Sequence, residues 1–199
     1  MLPDSAVQDA RNAYEWMLLQ HARYNVDPTR IALIGGSAGG HIAAASALNC
    51  STSSSCRGVE ATRPFALGLL NPVLELTVAN EAQGYTKEEL QLIEALGDEG
   101  ARELSLGGKV ALSDIPTQII YGGLDPLLPI ASDLLSTEGA SSRHNLELLI
   151  APGEKHGFFN YEPWRTAVAT SLLGFLQASG LGIECKGKHI SPSKLQKAQ

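Results

Sequence analysis

The sequence predicts an α/β fold, a parallel sheet with helices on both faces. Three observations carry the prediction. Short apolar runs alternate with stretches of helical periodicity along most of the chain, the pattern of strand-helix-strand units. The runs Ile31–Ile34 and Phe65–Leu70 are continuously apolar, as strands covered on both faces are. A cluster of small residues, Gly35-Gly36-Ser37-Ala38-Gly39-Gly40, separates the first run from an alanine-rich stretch that favours helix.

Taken in order, Ser5 and Gln8 have capping-box spacing, and the chain is expected to enter a helix at Ser5. Val7, Ala10, Tyr14, Met17 and His21 then share one helical face. Asn25-Val26-Asp27-Pro28 is a turn that feeds the strand Ile31–Ile34. The helix after the small-residue cluster runs to about Leu48 and dissolves into a Ser/Cys loop. Phe65–Leu70 is the second strand, stopped by Asn71-Pro72. Thr86 and Glu89 form another capping box, with Leu90, Ile93 and Leu96 as the stripe behind it. Gly97 through Lys109 is glycine-rich and charged, and reads as an irregular connection with one short helical turn. Thr117–Tyr121 is the third strand, ending at Gly122-Gly123-Leu124-Asp125-Pro126, and a helix follows from about Pro129. Leu146, Leu148 and Ile150 alternate as a fourth strand, and the loop behind it holds His156. The last helix, about Pro163 to Ala178, carries Trp164, Val168, Leu172 and Phe175 as core.

At 199 residues and 44% hydrophobic content the chain can bury one core, so residues 1–182 read as one domain. Residues 183–199, with Lys186, Lys188, Lys194 and Lys197, read as a solvated, disordered basic tail. The formal net charge of −6 and the confinement of basic clustering to that tail argue against a nucleic-acid partner or a membrane surface. No apolar run is long enough to span a bilayer, and no signal peptide is visible at Met1–Ser5, which leaves localisation open. Cys50, Cys56 and Cys185 show no metal-type spacing. Cys50 and Cys56 flank a serine-rich loop that fits either a small disulfide or two free thiols. No metal and no cofactor are expected, since the glycines match no G-x-G-x-x-G register and no Lys-Ser/Thr pair closes a phosphate loop.

Strand, tight turn and helix with Ser37 at the apex is the context of a G-x-S-x-G nucleophile elbow. Ser37 must there adopt a strained backbone so that its hydroxyl stands clear of strand and helix. Gly35 and Gly39 are expected to remove side chains where the two elements cross. The helix opening at Ala38 aims backbone N–H groups at a developing oxyanion. Asp125 and His156 each follow a strand, and the carboxyl ends of parallel strands lie along one sheet edge. His156 can take the Ser37 proton while Asp125 fixes the imidazole tautomer. Asp98 and Asp114 compete with Asp125, and His21, His41, His144 and His189 with His156, but none directly follows a strand.

Here the sequence resembles the α/β-hydrolases, closest to bacterial carboxylesterases related to hormone-sensitive-lipase-like, acetyl-xylan and feruloyl esterases. The resemblance rests on Asp27-Pro28-Thr29-Arg30-Ile31, Gly35-Gly36-Ser37-Ala38-Gly39-Gly40-His41, Asn71-Pro72-Val73, Tyr121-Gly122-Gly123-Leu124-Asp125 and Glu154-Lys155-His156-Gly157-Phe158-Phe159-Asn160. It implies a triad of Ser37, Asp125 and His156, with Ala38 N–H as an oxyanion donor. It implies a small-molecule ester substrate, such as an acetylated or feruloylated carbohydrate, cleaved through an acyl-enzyme. Family members carry further strands and a His-Gly-Gly-Gly-type loop upstream of the serine, and no His-Gly-Gly sequence is present here. The expectation is therefore an α/β-hydrolase fold lacking its N-terminal strands, with a partner chain or oligomer covering the Ile31–Ile34 edge. A serine peptidase of the prolyl-oligopeptidase type is the enzyme alternative. An impaired fragment acting as an interaction protein is the non-enzyme one.

Overall fold

The computed structural model describes residues 3–48, 63–78, 85–135, 145–182 and 195–197. Cys50, Cys56, Cys185, His144 and His189 lie outside them. Four strands form the parallel part of one sheet: β1 (Ala32–Gly36), β2 (Ala66–Leu70), β3 (Thr117–Gly122) and β4 (Leu146–Ala151). Their order in space is their order in the chain. Ala32 lies opposite Ala66, Leu67 opposite Thr117, and Thr117 opposite Leu146, so the carboxyl ends of all four reach one edge of the sheet.

The helices are α1 (Pro3–Tyr24), α2 (Ala38–Leu48), α3 (Lys87–Leu104), α4 (Gly107–Leu112), α5 (Leu128–Leu135) and α6 (Trp164–Leu176). When adjacent parallel strands follow in order, crossovers of one hand must all fall on one face. The larger core obeys this. Ala43, Ala44 and Ala47 of α2, Leu106 before α4, Val110 of α4 and Ala131 of α5 pack there against Leu67, Leu69, Ile119 and Tyr121. On the opposite face α6 sets Val168 and Leu172 against Leu70, Ile120 and Leu149. Every residue of β2 and β3 is buried, which explains why β2 reads as an unbroken apolar run; in β3 the buried Thr117 and Gln118 are polar, and their side chains donate to Ile115 O and Glu147 Oε2. Alanines dominate α2 because it packs between α1 and the sheet, where larger side chains would hold the layers apart. Among the described residues β1 pairs only with β2, and Ile34 on this edge strand is half-exposed.

Three sequence expectations differ from the structure. The first helix starts at Pro3, so Ser5 lies inside it and is not its cap. The stretch Gly97–Lys109 is mostly helical: α3 runs on to Leu104 through a kink at Gly97 (φ 67°), and α4 begins at Gly107. Ala101 and Leu104 account for the difference, since they bury a small apolar cluster against Leu76. The Thr86–Glu89 capping box does form, each side chain bonding to the other residue's backbone N–H. In the tail, where disorder is expected, Gln196–Lys197 forms β5, antiparallel to β4, with both residues exposed to solvent as expected. Lys197 Nζ reaches Glu147 Oε1 at 2.9 Å, and Leu195 packs on the α6 side of the core.

No helix among the described residues is long and apolar enough to cross a membrane.

Candidate active site

The bend between β1 and α2 places Ser37 in the left-handed region, at φ 55°. Its N–H donates to Leu70 O at 2.8 Å, and its C=O accepts from Gly40 N–H at 3.0 Å. Those bonds pin the backbone from both sides, so the unfavourable conformation is imposed by the sheet and the helix. Gly35 is required by contact. A Cβ there would lie 2.2 Å from Gly39 O and 2.4 Å from Gly39 C, inside backbone that cannot move aside. Gly39 is different: nothing stands within 4 Å of the position its Cβ would take. The residue that complements Gly35 at the crossing is Gly40, whose Cβ would sit 3.1 Å from Gly35 O and from Pro72 Cβ. The expectation that Gly35 and Gly39 together clear the crossing is corrected to Gly35 and Gly40. A helical turn carries Gly39 around to the solvent side.

Asp125 and His156 are brought together by the ends of neighbouring strands. Gly123 N–H donates to Ala151 O and Leu124 N–H to Glu154 O, both at 2.8 Å, which zips the loop after β3 to the loop after β4. Gly122 permits this approach, because a Cβ there would meet Glu154 O at 2.4 Å. Beyond His156, Phe158 is buried and stacks edge-on against Trp164 at 5.5 Å, anchoring the loop to α6. Phe159 lies over Gly36, close enough that a Cβ on Gly36 would stand 2.6 Å from its ring.

The three side chains form one hydrogen-bonded chain. His156 Nδ1 lies 2.9 Å from Asp125 Oδ2, and His156 Nε2 lies 2.8 Å from Ser37 Oγ. A carboxylate can only accept, so Nδ1 carries the proton and Nε2 is left to accept from the serine hydroxyl. Asp125 is fully buried at its side chain, while 37% of the His156 side chain remains open to solvent. The buried carboxylate is satisfied by donors: Leu127 N–H to Oδ1 at 2.9 Å, and His156 and the Asn71 side-chain amide to Oδ2. The hydrogen bond that His156 donates to Asp125 raises its imidazole above the ordinary value of 6.5. Burial opposes this, and the charges of Asp125 and then Glu89 add to it.

The competing residues among those described lie elsewhere. Asp114 precedes β3, at the opposite edge of the sheet, and meets Arg63 on the surface. Asp98 lies in α3, just past the kink. His21 is in the last turn of α1. His41 is buried in α2, with Nδ1 donating to Val73 O at 2.9 Å. Burial holds that imidazole below the ordinary histidine value, only partly offset by the bond to Val73. It is a neutral structural histidine.

A model of the alpha/beta hydrolase fold family matches residues 3–160, most of the chain. The chain belongs to the alpha/beta hydrolase family. Its likeness among solved structures lies with esterases. A thermophilic esterase of the planctomycete Thermogutta terrifontis, Est2, is 26% identical with a TM-score of 0.66, over 92% of this chain and 66% of that one. The same esterase phosphonylated by sarin is 25% identical, with a TM-score of 0.67, over 89% and 67%. Carboxyl esterase 2 of the fungus Tuber melanosporum, 18% identical with a TM-score of 0.63 over 83% and 59%, shares the fold. This hydrolase chain thus spans 66% of the length of the first esterase structure. No curated protein sequence matches it.

Sequence reasoning missed Asn71 and Gly122 in this chain. Asn71 before a proline reads as a strand stop, and Gly122 as an ordinary turn glycine; what both touch lies far along the chain.

Proposed function

We propose that the chain is a serine hydrolase that cleaves carboxylic esters through an acyl-enzyme. The observation that carries this reading is the unbroken chain from Ser37 Oγ through His156 to the buried Asp125. Ser37 Oγ attacks the ester carbonyl carbon as its proton passes to His156 Nε2. The negative charge that develops on the carbonyl oxygen is met by the N–H of Ala38, the first residue of α2, at the positive end of that helix. Collapse breaks the carbon–oxygen bond to the alcohol, which leaves with the His156 proton. Water then attacks the acyl-Ser37 carbonyl and gives a proton to His156. The carboxylic acid departs as that proton returns to Ser37. Asp125 keeps the tautomer and stabilises the imidazolium in both halves.

A short acyl group fits the likeness to the Thermogutta terrifontis esterase, which has been solved with butyrate bound and is 26% identical. The ester itself is proposed to be a small molecule, an acetylated or feruloylated carbohydrate among the class, with a sugar hydroxyl as the alcohol released.

Labelling with a fluorophosphonate tests the reading. A covalent adduct on the Ser37 peptide, together with turnover of p-nitrophenyl acetate, is the expected result. A protein that folds and neither labels nor turns over is not an esterase.

A pH prediction follows from the same geometry. His156 must be neutral to accept the serine proton, and its value is raised above 6.5. Activity should therefore fall as pH drops through a midpoint above 6.5, in kcat/KM against pH. Glu89→Gln removes one of the charges that raise it, so the midpoint should move to lower pH. The difference between variant and parent should shrink in 1 M salt, which screens that interaction. An unmoved midpoint would show that Glu89 does not act on His156.

A further inference from the structure

Asn71 carries three peculiarities at once. It has a left-handed backbone at φ 47° without being glycine. It is completely buried. Its amide spans 54 positions of sequence to reach one carboxylate oxygen, Oδ2 of Asp125, the oxygen that also accepts from His156. Asn71 N–H in turn donates to Ile120 O at 2.8 Å, so the residue is fixed by β3, the strand that leads to Asp125. The two residues after it are held as well. Tyr121 Oη donates to Pro72 O, and His41 Nδ1 donates to Val73 O. The turn after β2 is thus tied to the acid loop at one end and to the helix behind Ser37 at the other.

A fold needs only a strand stop here, which many residues supply. A buried left-handed asparagine is a costly way to make one, unless its amide is what the position requires. A fully buried carboxylate needs donors for both oxygens. Oδ1 has the Leu127 N–H, while Oδ2 would otherwise depend on His156 alone, the group that must gain and lose a proton during turnover. We propose that Asn71 is a positioning residue of the active site: its amide holds Asp125 in place independently of His156 and moderates the carboxylate's pull on the imidazole proton. This rests on the assignment of Ser37, His156 and Asp125 as a catalytic unit.

Among the described residues, these charged and titratable groups face the pair. His156 meets Asp125 from the loop after β3 and Glu89 from the first turn of α3. Asp125 meets Tyr121, whose hydroxyl is committed to Pro72 O. His41 lies behind the same turn and is held neutral by burial. The Asn71 amide is the neutral dipole whose positive end points into this group, and removing it has a definite sign. Asp125 then attracts the imidazolium more strongly, and the His156 midpoint rises.

The test uses Asn71→Gly, which keeps the left-handed backbone without strain and deletes only the amide. His156 is titrated by NMR through its Cε1–H signal, assigned by its absence in His156→Asn, and p-nitrophenyl acetate turnover is measured alongside. The expected result is a His156 midpoint displaced upward, with kcat lower by roughly tenfold and KM little changed. A lowered kcat with an unmoved midpoint would mean that Asn71 only supports the fold, and overturns the proposal. So would parental values of both. Should Asn71→Gly fail to fold, the parent protein decides. One Asn71 Nδ2–H resonance should be slow to exchange with solvent and should shift with the His156 midpoint; a freely exchanging, pH-insensitive amide refutes the idea. A parent with no esterase activity removes the proposed function, whereas the NMR titration judges Asn71 separately.

Discussion

Ser37→Ala is expected to lower ester hydrolysis by about 10⁶-fold in kcat while leaving the protein folded, the size of loss seen when a triad acting as a unit is disabled. The fold should survive because the apex is held by backbone. Ser37 N–H to Leu70 O and Gly40 N–H to Ser37 O involve no side chain, and alanine tolerates φ 55° no worse than serine. The only side-chain bond lost is the one to His156 Nε2. Far-UV circular dichroism and steady-state kinetics on the same preparation check both halves. The joint behaviour of the triad is the more searching measurement. His156→Ala made in the Ser37→Ala background should cost almost nothing further, since the base has no proton left to take. A second large loss would mean that the two residues work independently, and residual activity near the parent's would remove Ser37 from the chemistry.

Gly35→Ala and Gly39→Ala should behave as opposites, although the two glycines flank Ser37 symmetrically. At position 35 the new methyl would be driven into Gly39 O and C and to 2.8 Å from Gly40 N, all of it backbone. Strand and helix must separate, at about 3 kcal/mol or more. For a domain of this size that is roughly a 6–12 °C fall in Tm. At position 39 the methyl meets nothing within 4 Å, and the residue lies in the first turn of an α-helix. Alanine there should leave stability unchanged or raise it by about 0.5–1 kcal/mol, because glycine loses more backbone entropy on folding. Scanning calorimetry of the two variants decides it. Equal losses at both sites would mean that the crossing is tighter around α2 than the structure has it.

Much of this was legible in the residues. β2 was readable because burial on both faces leaves a continuous apolar run, β4 because its apolar residues alternate, and Ser37, Asp125 and His156 because each lies in the segment that follows a strand. What the sequence concealed is of another kind. Whether Gly39 or Gly40 answers Gly35 depends on the angle at which α2 leaves the sheet, and residue spacing does not encode that angle. Asn71 looked like punctuation because its partner is 54 residues away. The helical character of Gly97–Lys109 was hidden by glycine and charge, both of which argue for loop until Ala101 and Leu104 find Leu76. Lys197 stays largely exposed, but its pairing was hidden because the partner, Glu147, belongs to a strand far back in the chain. In each case local preference was read correctly and a distant contact outweighed it.

The matching of strand order in space to strand order in sequence also bears on how the molecule is made. Each strand is laid beside the one completed before it, so β1 to β4 can be added in turn without threading the chain past an existing neighbour. Ser37 takes its place with the first pair, where Leu70 O fixes its N–H. Asp125 arrives with the third strand and His156 only after the fourth. A nascent chain therefore displays its serine well before any base can draw the proton from it. On the proposed assignment the serine hydroxyl is without its base until the loop after β4 has been made, and α6 covers the opposite face of the sheet only after that.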